Sequence, residues 1–202
     1  YYTGTGMPEG RENEETLYKN IKKKEREYCL ILPLYDTTVN LQIGLDDDSS
    51  FENIIKKTKP LVFYGTSITQ GGCASRPGLA HTNIIFRELG YECVNLGFSG
   101  NGHLEKSIGT VMSDIDASIY VIECMYNVDK KMVRERTGPL IKSIRANSHR
   151  KNIPIVFMEQ VVIDNGHINN NFISDVVEKN EELNKQIQEN INEGEKDLYI
   201  VK

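Results

Sequence analysis

Leu61-Val62-Phe63-Tyr64-Gly65-Thr66-Ser67-Ile68-Thr69-Gln70-Gly71-Gly72 runs from an unbroken apolar block into a turn of small residues. An apolar run without alternation reads as a strand buried on both faces, as in a parallel sheet covered by helices on each side. Four more such runs follow: Tyr91 to Phe98, Ser118 to Ile122, Ile153 to Met158 and Leu198 to Val201. Longer segments between them carry helical spacing. In Phe172 to Ile191, apolar Ile173, Val176, Val177, Leu183, Ile187 and Ile191 recur with charged residues between them. A second helix begins near Leu79 and stops at Gly90. After Asp129, Gly138-Pro139 predicts a break into two helical pieces, with Pro139 near the start of the second. Five strands alternating with helices predict an α/β fold, a flavodoxin-like, doubly wound three-layer α/β/α sandwich with a five-stranded parallel sheet and right-handed crossovers.

In such sheets ligands bind outside the carboxyl ends of the strands, so the loops starting at Gly65, Gly97, Met125 and Glu159 are expected to line any site. Ser67 stands in the first of these. A serine there exposes its hydroxyl while neighbouring N–H groups point at the same spot, which suits an acyl-transfer oxyanion. Taken alone, the same residues read as a helix cap and turn. The second turn, Asn95-Leu96-Gly97-Phe98-Ser99-Gly100-Asn101-Gly102, brings glycines that permit close backbone approach and a carboxamide at the same edge.

Composition narrows the class. A formal net charge of −5, with Lys22-Lys23-Lys24 interleaved with Glu25, Arg26 and Glu27, offers no basic stripe for a nucleic acid. No apolar run approaches the length of a membrane span, and the opening Tyr1-Tyr2-Thr3-Gly4 does not read as a secretory signal. Cysteines at 29, 73, 93 and 124 have no zinc or redox spacing. Asp46-Asp47-Asp48-Ser49-Ser50 lacks the spacing of a calcium loop and reads as a solvated turn. No metal or cofactor is expected.

Residues 1–59 read differently: a Gly-rich opening, a charged stretch, then two strand-like runs, Tyr28 to Tyr35 and Val39 to Ile43, joined by Asp36-Thr37-Thr38. A lone hairpin is marginal, so this segment is expected to pack on the sheet or to belong to a larger β domain.

The strings FYGTSITQGGCASRPG and NLGFSGNGHLE resemble the SGNH (GDSL-like) hydrolase family, in a branch fused to an N-terminal β-sandwich. The resemblance implies a domain from 60 to 202, preceded by a β-rich segment over 1–59 that is part of that sandwich. It implies Ser67 as nucleophile and oxyanion donor through its N–H, Gly97 as a second N–H donor and Asn101 as a side-chain amide donor. The family's last block, Asp-x-x-His, follows the fifth strand, and this sequence ends at Val201-Lys202, so the block is expected to be missing from this chain. A literal Asp164-Asn165-Gly166-His167 follows the fourth strand instead and reads as a chance occurrence of a short motif. His81, His103 and His149 read as structural or solvated. Cys73 reads as a loop thiol. Arg76, in the same loop, binds substrate or pairs with an acidic neighbour, and Glu123, Asn127, Glu159 and Gln160 lie at strand ends facing the expected cleft, where they shape substrate binding or cap the sheet.

The expected function is a serine esterase acting on a small acyl ester, for which the resemblance implies acetyl groups on carbohydrate and an exported relative. Two other readings stand beside it: a non-catalytic glycan-binding relative, and a flavodoxin-like module whose Gly65–Gly72 turn holds a phosphate or flavin. The expected partner is a small-molecule or carbohydrate ester.

Overall fold

The five apolar runs form five parallel strands: β1 (Leu61–Gly65), β2 (Cys93–Gly97), β3 (Ile119–Glu123), β4 (Ile155–Met158) and β5 (Leu198–Val201), in the spatial order β2-β1-β3-β4-β5. The computed structural model describes residues 10–54, 58–147, 152–162 and 170–202. Helices connect the strands: α1 (Ser67–Gln70), α2 (His81–Leu89), α3 (Lys106–Ser113), α4 (Lys130–Ile144) and α5 (Asn170–Asn192), with a 3-10 turn at Pro77–Leu79. This is the doubly wound α/β sheet expected from the sequence, with the strand order reversing at β1 so that the loops after β1, β2 and β3 open side by side.

Strand geometry sends successive side chains to opposite faces. Val62, Tyr64, Tyr120, Ile122, Ile155 and Phe157 point one way into a core completed by Met112 of α3, Leu140, Ile141 and Ile144 of α4, and Leu183 and Ile187 of α5. On the opposite face Phe63 meets the His81 ring of α2 edge-on, with centroids 5.5 Å apart. Along that face at β4 and β5, Met158, Tyr199 and Val201 are exposed.

One expectation fails. Gly138-Pro139 does not divide the helix after Asp129: α4 runs unbroken through Pro139. Proline removes the donor that would serve the carbonyl of Glu135. Glu135 and Pro139 both lie on the exposed side, while Val133, Thr137, Leu140, Ile141 and Ile144 keep the inner stripe buried across the site. Packing therefore outweighs the local penalty.

The strand pair expected at Tyr28–Tyr35 and Val39–Ile43 is not formed, and no described residue before Leu61 lies in a strand. The chain divides into two compact units, Tyr1–Leu30 and Ile31–Lys202. The described part of the first has no regular structure; the Tyr18 and Tyr28 rings stand 5.6 Å apart within it. Residues 31–35 go with the sheet: Gln70 Nε2 donates to Leu34 O at 3.0 Å, and a Cβ on Gly71 would lie 2.8 Å from Leu34 Cδ1.

Candidate active site

The first turn is a sharp strand-to-helix passage. Thr66 caps α1, its Oγ1 accepting from the Ile68 N–H at 3.2 Å, and Gly71 closes the helix in the left-handed region at φ 96°. Ser67 is thus the first helical residue, a position whose N–H has no intrahelical acceptor. Among the described residues that N–H has no partner. Ser67 is half-buried and lines a cavity of about 500 Å³ with Tyr35, Cys73, Leu79, His81 and Ser99.

The second turn is pressed against the first. A Cβ on Gly97 would overlap the backbone of Gln70, and one on Gly102 would overlap Gly65 O. Most N–H groups of this turn are committed. Gly97 N donates to Asn95 Oδ1 at 2.9 Å, Phe98 N to Gly65 O at 3.0 Å, Ser99 N to Gln70 Oε1 at 2.8 Å, and Asn101 N to Phe98 O at 3.0 Å. The N–H of Gly100, at φ 68°, has no partner among the described residues. The sequence pointed to Gly97, whose N–H is engaged within its own strand end; the N–H groups without a partner among the described residues are those of Gly100 and the buried Gly102.

Two carboxamides stand nearby. Asn101 is exposed, and its Nδ2 donates to Ser99 O at a long 3.3 Å. Asn127, in the loop after β3, is half-buried and donates from Nδ2 to Asn101 O. The loops after β2 and β3 are therefore tied together beside the Ser67 turn.

Of the histidines, His149 and His167, with Asp164, fall outside the described residues. His81 shares the Ser67 cavity, where burial lowers its pKa against the opposing pull of the Glu123 charge. His103 points elsewhere, its Nδ1 3.5 Å from Glu105 Oε1, and its carbonyl accepts from Arg136. Burial opposes ionisation of Glu105, but hydrogen bonds from the Tyr64 hydroxyl and the His103 N–H prevail and hold its pKa below the usual range.

Of the remaining cleft residues, Cys73 is an exposed thiol of the cavity wall, and Arg76 is exposed. Glu159 accepts from Asn184, and the Gln160 backbone N–H and carbonyl bond to the side-chain amide of Asn180 of α5, so both brace the sheet edge against a helix. The sequence reading gave Tyr35 and His81 no place in the cavity. Tyr35 carries no local signal, since only the fold brings it to Gly72; His81 opens α2 just after a Gly-Pro-rich loop, a position that does lie near a strand's carboxyl edge.

No curated protein matches the chain. Solved structures do. A Bacteroides ovatus protein solved as a GDSL-like lipase is 32% identical, with a TM-score of 0.67, over 71% of this chain and 42% of its own. The salicylyl-acyltransferase SsfX3 of a tetracycline biosynthetic pathway is 17% identical, with a TM-score of 0.59, over 78% and 46%. AlinE4, an SGNH-hydrolase family esterase, is 14% identical, with a TM-score of 0.53, over 73% and 77%. The latter two share the fold, and the chain spans less than half the length of the first two. Residues 1–51 match the N-terminus of SGNH-hydrolase-type esterases. Residues 58–202 match the GDSL-like lipase/acylhydrolase family, and the chain belongs to that family.

Proposed function

We propose that this chain carries the nucleophile and oxyanion site of a serine esterase that cleaves a small acyl ester. The observation that carries the reading is the pairing of an accessible Ser67 at a helix start with uncommitted N–H groups on Ser67 and Gly100 in two turns packed against each other. Ser67 Oγ attacks the ester carbonyl and passes its proton to a histidine base; the oxyanion is held by the N–H groups and a side-chain amide; the alcohol leaves with the proton. Water then hydrolyses the acyl-enzyme by the same route. An ester of acetate with a carbohydrate hydroxyl is the substrate class the sequence resemblance implies.

Within the hole, Gly97 serves only if Asn95 releases its N–H, so Gly100 has the better claim. Asn101 competes with Asn127 for the amide role. An effective donor is held in place before the reaction and shielded from water, which favours the half-buried Asn127. Hydrolysis of 4-nitrophenyl acetate tests the reading. Ser67→Ala is expected to lower turnover by about 10⁴-fold or more. Asn127→Ala is expected to cost about 10²-fold and Asn101→Ala less than about tenfold. Equal rates for the parent and Ser67→Ala mean that this chain is not a working Ser67 esterase as it stands. The reverse order for the two asparagines returns the amide role to Asn101.

A further inference from the structure

Glu123 ends β3, in register with Gly65 of β1, and its residue is only 8% exposed. One oxygen, Oε2, accepts three hydrogen bonds: from Thr66 N at 3.3 Å, Thr66 Oγ1 at 2.8 Å and Thr69 Oγ1 at 2.9 Å. Thr66 N also donates to the Glu123 carbonyl at 3.1 Å. The two threonines bracket Ser67. The other oxygen, Oε1, is buried and has no partner among the described residues.

Burying a carboxyl group with one bare oxygen is unfavourable; a neutral side chain would serve a purely structural turn at lower cost. What this carboxyl does supply is a fixed hydroxyl direction. With its hydrogen committed to Glu123 Oε2, Thr66 Oγ1 turns a lone pair to the Ile68 N–H and caps α1. The chain of bonds Ile68 N–H to Thr66 hydroxyl to Glu123 thus spans Ser67 from the residue before it to the residue after it. Thr69, one turn further, is tied to the same oxygen, and no Cβ fits at Gly65 above it.

We propose that Glu123 is a positioning residue that clamps the Ser67 turn through Thr66 and Thr69, fixing the Ser67 hydroxyl and N–H in the cavity. The proposal rests on Ser67 being the nucleophile, and its test separates the two. Glu123→Met keeps the length and removes the acceptor. Its expected signature is a rise of about tenfold or more in hydrogen exchange at the Ile68 amide, with the Val62 and Tyr64 amides of β1 unchanged. Exchange at Ile68 within about twofold of the parent overturns the clamp. If Glu123→Met fails to fold, Thr69→Val, which removes a single donor, is read in the same way, with Thr69→Ser expected to restore parent behaviour. In 4-nitrophenyl acetate hydrolysis, displacement of a nucleophile by the order of an ångström costs about 10²-fold. Glu123→Met should therefore lower kcat by about that factor with KM within about twofold, and Thr69→Val added to it should lower kcat little further. Fully additive losses, or a change confined to KM, overturn the proposal. Parent-like turnover in Ser67→Ala defeats the nucleophile reading alone, and the exchange measurement then still decides whether Glu123 holds the turn.

Discussion

The two turns that meet at the candidate site are held by different means. The Gly65–Gly72 turn is fixed by bonds: a buried carboxyl, two threonine hydroxyls and a helix cap surround Ser67. The Gly97–Gly102 turn is held by bonds too, but what sets its closeness to the first turn is space. Gly97 and Gly102 fit because they lack a Cβ, and amide side chains from Asn95 and Gln70 occupy its N–H groups. A nucleophile needs one direction, which a network of hydrogen bonds enforces. A donor turn needs close approach, which glycine allows.

Substitutions at the glycines sharpen this contrast most. Gly102→Ala places a methyl group on Gly65 O and forces a non-glycine residue to φ 73°, so it is expected to cost about 3 kcal/mol or more. Thermal unfolding should then fall by roughly 6–12 °C. Gly97→Ala meets the backbone of α1, which cannot yield as a side chain can, and is expected to follow closely. Gly100→Ala meets nothing within 4 Å and pays only for φ 68°, about 1–2 kcal/mol. Equal costs at Gly100 and Gly102 would break the argument that space sets this turn's closeness to the first.

The smallest effect concerns pH. Burial lowers the His81 pKa from its ordinary 6.5. Between that lowered value and 6.5 the unfolded chain binds more protons than the folded one, so stability rises with pH across this window and levels off above it. His81→Gln is expected to narrow the difference in melting temperature between pH 7.5 and pH 5.5, with the gain at the acid end. An unchanged difference would mean that His81 is solvated in the cavity wall.

A second contrast lies between the sheet and the segment before it. Val39, Leu41, Ile43 and Leu45 alternate as a strand would, yet they are exposed and form none. Alternation specifies which face of a strand is apolar; pairing needs a neighbour that offers hydrogen bonds. The runs in β1, β3 and β4 each find such neighbours within the described chain.

The sequence by itself determined the parallel sheet, because apolar runs without alternation can be satisfied only by cover on both faces. It also determined that Ser67 and the second glycine turn share one edge, because every strand of a parallel sheet ends on the same side. Only the tertiary structure decided the continuity of α4 through Pro139, since burial on either side of a residue is not a local property. It also decided which N–H groups of the second turn are uncommitted, because the acceptors of Phe98 and Ser99 come from Gly65 and Gln70 of the first turn. Glu123 shows the same limit: its place at the end of a strand is legible, but its three bonds arise from Thr66 and Thr69, more than fifty residues away, and exist only once β3 lies beside β1.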